Sequence, residues 1–390
     1  MSEVLIAGGG LAGSAVAIQL GRLGISVELF ERGSFPKENP CGEGLMPAGV
    51  AALERLGLNT EKGAPFSGVR YHFGRRIAEG RFPEAHGVLS LGRGFRRRDL
   101  DYTLFELARR TPNVKVHTEA IVEAPLIEGG RVVGLIVNGA SKCGRLVIGA
   151  DGAQSRLRHA LRLEIPSRRR RIGVRTHFRL APGRAMPQSV EVYLGPGYEL
   201  YATPLPCGEL ALSALASADA LHGRVEDQFR GWWNAQQHLA ETLEGAEQVS
   251  AMLVTCPVSG RARPRFLPGF VLLGDAAGFT DPIIGAGMTQ ALLGAELLGQ
   301  LVGQNERPAR NWLAEFDRER EMMVRNYRWL TAPLVWLAQN PPFLVAALEA
   351  SRLLPRAFSH FLGVAGGTRR FWGPEVVASS LAACTLRKLS

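Results

Sequence analysis

Cysteine is scarce and never clustered. The five cysteines, Cys41, Cys143, Cys207, Cys256 and Cys384, lie far apart. No CxxC and no Cys/His pair at metal-ligand spacing occurs, so neither a zinc site nor a disulfide framework is expected. Long apolar runs are missing too. Gln339-Asn340-Pro341-Pro342 breaks the best of them. No window offers about 20 unbroken apolar residues, so no segment is expected to span a bilayer. No basic stretch precedes the first apolar run, which reads as a strand and not as a signal peptide. The expected location is the cytoplasm, with peripheral contact at the inner face of the membrane as the open alternative. Acidic residues are the minority, 36 against 46 Lys and Arg, and the formal charge is +10. Arginine runs stand at residues 96–98, 168–171 and 369–370. Such runs suit anionic cofactors, an anionic membrane or nucleic acid. No nucleic-acid motif accompanies them, so no nucleic-acid partner is expected.

Glycine, by contrast, is abundant, with 46 residues. The first cluster is Gly8-Gly9-Gly10-Leu11-Ala12-Gly13. An uncharged apolar run, residues 4–7, precedes it, and residues 14–23 read as a helix that Gly24 stops. A second strand follows at residues 25–30, closed by Glu31. Gly8 permits the tight turn, Gly10 lets the backbone approach a pyrophosphate, and Gly13 lets helix and strand pack closely. The helix N-terminus offers free N–H groups and a partial positive charge to phosphates. Glu31 lies 18 residues beyond Gly13, where an acid can hold a ribose hydroxyl. This motif alone does not separate NAD from FAD.

Residues 35–49 form a loop whose Gly42 and Gly44 permit unusual backbone angles, placed to pass over a cofactor. A helix is expected near 50–56 and another near 101–110. Residues 131–138 and 144–148 read as an antiparallel pair. Residues 149–158 bring a strand, an Asp151-Gly152 turn and a helix start. Residues 172–216 alternate as an antiparallel sheet, residues 225–245 read as helical, and residues 251–258 as a strand. Residues 270–273 form a buried strand that leads into Gly274-Asp275, where a ribityl or phosphate group could sit. A helix from about 288 to 302 follows, its N–H groups facing a polarised or anionic ring. Residues 311–390 are amphipathic helices, expected to cap the core in preference to touching membrane.

Residues 8–13, 97–101, 151–155 and 274–287 together resemble the FAD-dependent superfamily of para-hydroxybenzoate hydroxylase, a group A flavoprotein monooxygenase family. It also contains flavin-dependent halogenases and geranylgeranyl reductases. The resemblance implies an α/β chain: a Rossmann-like FAD-binding fold with an inserted antiparallel β-sheet substrate domain and C-terminal helices. The FAD-binding domain would comprise residues 1–72, 92–171 and 260–310. Residues 73–91 and 172–259 would form the substrate domain, and 311–390 the helical region. The implied FAD contacts are Gly8, Gly10, Leu11, Ala12 and Gly13 at the pyrophosphate, Glu31 at the ribose and Arg97 near the phosphates. Asp151 and Gly152 are tied to FAD and NAD(P)H. Gly274 and Asp275 hold the ribityl chain and pyrophosphate. Pro282, Gly285, Ala286, Gly287 and Met288 lie by the ring, and Arg32, Gly42 and Val122 complete the set. No metal is expected.

Two branches compete. Residues 37–45 resemble the K-x-CGxGL loop of geranylgeranyl and menaquinone-chain reductases. The YxWxFP strand of that branch is altered here to Glu199-Leu200-Tyr201-Ala202-Thr203-Pro204, and the halogenase WxWxIP pattern is absent. The expected activity is therefore monooxygenation: NAD(P)H as reductant, O2, and a flavin C4a-hydroperoxide that hydroxylates a lipophilic aromatic or polyketide-type substrate. Tyr201 is a candidate substrate wall. Reduction of an isoprenoid double bond is the alternative, with Cys41 near the ring. A flavin-binding protein without turnover is the non-enzyme alternative. Arg156, Arg158 and the arginines at 168–171 are candidates for an NADPH phosphate.

Overall fold

Val4–Ala7 is buried at every position because both faces of its sheet are covered. It lies between Val27–Phe30 and Leu146–Gly149, parallel to both. Val114–His117 extends the sheet on one side and Phe270–Leu272 on the other, again parallel, and Phe266–Leu267 closes it antiparallel. Strand order thus reverses direction between Val4–Ala7 and Leu146–Gly149. The crevice at the C-terminal ends of two such strands is where open α/β sheets bind ligands. Here those ends are Ala7 and Gly149, and Gly8 and Ala150 follow them. The computed structural model describes residues 3–85, 87–165, 171–256, 260–304 and 310–372. The expected positions Arg168, Arg169, Arg170, Cys384 and residues 257–258 fall outside them.

One face of this sheet carries the helices Leu11–Arg22, Arg97–Arg110 and Gly287–Gln304, whose apolar sides form one core with the strands. The second of them starts four residues earlier than its sequence pattern suggested. The other face carries a small antiparallel sheet of Val122–Glu128, Arg131–Val137 and Ala140–Cys143. This corrects the expected pairing of residues 131–138 with 144–148. Leu146–Gly149 is apolar and buried at all four positions, the pattern of an internal parallel strand, so it enters the central sheet. Arg131–Val137 has only one face to bury and pairs with its sequence neighbours.

A second sheet stands beside the first. Its order is Glu247–Gln248, Arg171–Arg179, Glu209–Ser217, Tyr198–Leu205, Val190–Gly195, Gly68–Phe73 and Arg76–Arg81. All neighbours are antiparallel except Val190–Gly195 and Gly68–Phe73. The expected boundary after residue 72 therefore falls inside a strand of this sheet. Of the expected strand at 251–258, the described residues form Leu253–Thr255, paired with Arg171–Arg179. Alternation decides the faces. Tyr193, Leu200 and Ala202 pack on Phe229, Trp232 and Trp233 of the helix Val225–Asn234. Val190, Val192, Leu194 and Tyr201 point the other way, toward Leu344, Leu348 and Leu362.

Those three leucines belong to C-terminal helices. Arg310–Ala338 contains Pro333; Pro341–Leu353 and Pro355–Ala365 follow it. Each of the latter two starts with proline, which fits a first helical position because its missing N–H would be unpaired there anyway. No described helix is long and apolar enough to cross a membrane.

Candidate active site

A single cavity of about 980 Å³ runs from the central sheet to the C-terminal helices. This is the upper end of the roughly 300–1,000 Å³ of small-molecule sites. Every expected FAD contact except Gly13 lines it, as do Cys41, Tyr201 and Arg156, whereas Arg158 and Arg171, expected at a nicotinamide phosphate, do not. Its polar arm is built by the first glycine turn. Gly8 has φ +101°, and a Cβ there would lie 2.3 Å from the Ala150 carbonyl oxygen. A Cβ on Gly13 would lie 1.9 Å from the Gly8 carbonyl oxygen, so this glycine serves packing behind the cavity wall. Gly10 differs: a Cβ there would meet no protein atom within 4 Å. It is the N-cap of Leu11–Arg22, whose first turn has no acid and no side-chain cap. The space and the free N–H groups at Gly10 fit a pyrophosphate.

Glu31 is buried beside this turn. It accepts the Gly9 N–H at 2.9 Å and the Gly33 N–H at 3.0 Å, and pairs with Lys37 at 2.6 Å. Burial alone would raise its carboxyl, but Lys37 and the two N–H groups hold it below the usual range. Arg32 and Val122 line the same end.

The two later turns are clamped together. Ser155 caps Arg156–Ala160 by accepting the Arg158 N–H at 3.0 Å. Asp151 accepts the Leu157 N–H at 3.2 Å through one oxygen, and its other buried oxygen has no protein partner. Arg158 is buried and donates to the Ala153, Asp275 and Ala276 carbonyls. Its guanidinium, which also pairs with Glu164, is thus committed within the protein, which removes Arg158 from the candidates for a nicotinamide phosphate. Arg156 remains exposed on the cavity wall. Gly274 has φ +60°. Asp275 opens onto the cavity with protein crowded around it. That crowding raises its carboxyl, opposed by Arg97, Arg320 and Arg158. No ion pair joins Asp275 to a described cation, so its oxygens are available for ribityl or ribose hydroxyls.

Arg97 lines the cavity, but Asp101 takes its fork in two bonds of 2.9 Å. Burial would lower this guanidinium, whereas Asp101 and Cys41 raise it. Cys41 is half-buried, accepts the Glu43 N–H at 3.4 Å and lies on the cavity wall.

Residues 37–43 are pinned from three sides, which the sequence reading missed. Buried Glu43 accepts the Arg97 N–H at 2.9 Å and lies 2.6 Å from His177 Nε2. Arg175 donates to Glu38 at 2.7 Å and to the Asn39 carbonyl at 2.9 Å. Asn39 donates to Asp101 at 2.5 Å. The available signal was Arg175 and His177 themselves, polar residues at alternate buried positions of the strand Arg171–Arg179.

Near the apolar end, Asp281 accepts the Ile283 N–H at 3.2 Å and caps the turn Pro282–Ile284. The same oxygen takes Arg171 Nη1 at 2.7 Å, and Arg171 also pairs with Glu199. Gly285 follows with φ +65°, and Gly287–Gln304 starts its free N-terminus on the cavity wall. Arg320 braces the segment, donating to the Gly278 carbonyl at 2.9 Å; burial and Arg265 push it down to about 10. Tyr201 reaches the Ile283 carbonyl at only 3.4 Å. Burial and Glu199 push its phenol well up, so it stays neutral. Tyr201→Phe is expected to change kcat/KM less than about threefold, because a hydrogen bond this long contributes at most about 0.5 kcal/mol. Tyr201→Ala should raise KM at constant kcat if the ring is a substrate wall. Parallel steady-state titrations of both variants check this.

A family model described as an FAD binding domain matches residues 1–327. A menaquinone reductase of Mycolicibacterium smegmatis is 27% identical over 332 residues, covering 77% of this chain and 76% of that protein. A 3-amino-4-hydroxybenzoate 2-monooxygenase of Streptomyces platensis is 28% identical over 358 residues, covering 83% and 85%. The crystal structure of a flavoprotein/dehydrogenase from Cytophaga hutchinsonii superposes with a TM-score of 0.81 at 22% identity, covering 94% of this chain and 92% of that one. That likeness supports the fold.

Proposed function

The chain belongs to the FAD-binding-domain family as an FAD-dependent oxidoreductase, and from that premise we propose that it is a monooxygenase of a lipophilic aromatic or polyketide-type substrate. NAD(P)H supplies two electrons. One atom of O2 enters the ring and the other leaves as water. The observation that carries this reading is the course of the cavity. It passes from the glycine turns to a chamber walled by Leu334, Leu337, Leu344, Leu348 and Phe358. One end suits a charged dinucleotide and the other an apolar molecule.

FAD, when bound, supplies the redox chemistry. The protein's part is to hold and exclude. Gly8, Gly10 and the first helix N-terminus would take the pyrophosphate, Glu31 the ribose and Asp275 the ribityl chain. The N-terminal N–H groups of Gly287–Gln304 would stabilise negative charge on the ring. Val192, Leu194 and Tyr201 would seat the substrate and keep the chamber dry.

Cys41 favours a second reading, reduction of an isoprenoid double bond. It lies on the cavity wall within residues 37–45, and a relative is named a menaquinone reductase. One experiment separates the two. NAD(P)H oxidation and O2 uptake are measured together, with phenols and with polyprenyl quinones. Equimolar O2 uptake with a hydroxylated product, retained in Cys41→Ser, is the expected result. Substrate reduction without O2, lost in Cys41→Ser, would establish the reductase instead. Binding of FAD with no NAD(P)H oxidation under any ligand would leave a flavin carrier.

A further inference from the structure

The outer face of the C-terminal helices is apolar, aromatic and basic. Met322, Trp329 and Trp336 stand seven residues apart on Arg310–Ala338 and are all exposed. Seven residues are about two helical turns, so they form one stripe along the helix. Exposed Arg325 lies on the same stripe, its guanidinium 5.0 Å from the Trp329 ring. Phe343, 57% exposed, extends the stripe with its ring centroid 4.9 Å from that of Trp336. Trp372, 64% exposed, packs against Trp329. Leu353, 80% exposed, projects where Pro341–Leu353 ends. Scattered exposed hydrophobics are ordinary, whereas a run of large ones on adjoining elements marks an interaction surface.

Charge selects the partner. Residues 322–372 contain six arginines and a single acid, Glu349. That acid is itself met by Arg76 and Arg352. A second copy of this surface would oppose its own positive charge. An anionic phospholipid surface would not, and tryptophan with arginine is the composition that settles at the boundary of headgroups and acyl chains.

The cavity lies behind the same wall. Leu337, Leu344, Leu354 and Phe371 line it, and each is the chain neighbour of an exposed residue: Trp336, Phe343, Leu353 and Trp372. Leu354 does both, lining the cavity while 43% exposed. We propose that this face docks on an anionic membrane and that the apolar chamber takes its substrate from the lipid. The docking surface stands on these residues alone; the access route rests on the lipophilic-substrate reading above.

The test is co-sedimentation of the full-length, FAD-loaded chain with extruded vesicles. One set is phosphatidylcholine alone and the other contains phosphatidylglycerol. Binding is expected on the anionic vesicles, weakened by salt, with little on the neutral ones. Phe343→Ser/Leu353→Ser should lower the partition coefficient at least about tenfold. Arg325→Gln/Arg356→Gln should lower it about twentyfold on anionic vesicles only. Retained flavin and an unchanged melt show that the variants fold; if they do not, the wild-type lipid and salt dependence decides. Equal recovery with and without vesicles overturns the proposal. So does a concentration-dependent dimer that Phe343→Ser/Leu353→Ser dissociates, which would assign the face to a second copy. Vesicle binding without turnover of any lipophilic compound would keep the surface and remove the access route. Turnover of a lipophilic compound without vesicle binding would keep the substrate reading and remove both the surface and the access route.

Discussion

Gly10→Ala is expected to fold as the wild type does and to hold its cofactor more weakly, whereas Gly8→Ala should be impaired in both. The two glycines sit two residues apart in one turn, yet the protein constrains only the first. Gly8 has φ +101°, which an L-side chain rarely adopts, and its Cβ would enter the van der Waals shell of the Ala150 carbonyl. Backbone strain and overpacking together cost about 3 kcal/mol or more. Gly10 has φ −74° and ψ −169°, ordinary extended backbone, and open space where its Cβ would go. Alanine there stiffens the unfolded chain, worth about 0.4–1 kcal/mol, but is a poorer N-cap than glycine by a similar amount, so apoprotein stability should stay within about 1 kcal/mol of the wild type. A methyl group in the pyrophosphate space should weaken FAD by about ten- to a hundredfold, the equivalent of 1–3 kcal/mol of overpacking. Thermal melts of the two apoproteins and flavin-fluorescence titrations measure these quantities separately. An unchanged FAD affinity in Gly10→Ala would remove the pyrophosphate from this turn.

The contrast between these glycines also marks what a sequence can disclose. The strand–glycine–helix order, Glu31, the Asp151-Gly152 turn and the Gly274-Asp275 turn are local patterns, and the fold brings them to one cavity. Local patterning was equally sufficient for the alternation of Val190, Val192 and Leu194. It failed where burial on both faces removed alternation, as at Leu146–Gly149, whose partner lies more than a hundred residues away. It failed again where charges are buried against distant partners. Glu43 and His177 are separated by 134 positions, and neither has a neighbour in sequence that announces the pair. Arg158 shows the opposite error. A basic residue after a turn looked like a phosphate contact, but only the fold reveals three carbonyls around it.

Arg171 sits at the join of sheet and cavity, and its replacement should be strongly damaging. It is buried between Glu199 and Asp281, which are buried as well. Removing the cation leaves two carboxylates uncompensated, which costs about 3–5 kcal/mol at a pH where both are ionised. The loss in Arg171→Met should depend on pH, and its sign follows from Glu199. Burial pushes that carboxyl up to about 7 even with Arg171 beside it, and Asp281 adds to the rise. Tyr71 and Tyr201, both neutral, complete its surroundings. A folded state that holds a proton more tightly than the unfolded chain gains stability as pH falls, here from about 7 toward the ordinary 4.5. Without Arg171 the carboxyl rises further and the window extends above 7. The gap between variant and wild type should therefore be full near pH 8.5 and less than about half as large at pH 6. Urea unfolding at the two pH values reads it directly. Arg171→Met/Glu199→Gln should recover about half of the loss at pH 8.5, since the amide removes one of the two orphaned charges. Function should follow stability only in part. Asp281 caps the turn Pro282–Ile284 through the oxygen that Arg171 also holds, so freeing it loosens the segment expected to face the ring. A lowered kcat that persists in the refolded double variant would place Arg171 as a positioning residue. A stability gap that does not change with pH would instead assign the effect to lost packing of the long arginine stem, with the charge playing no part.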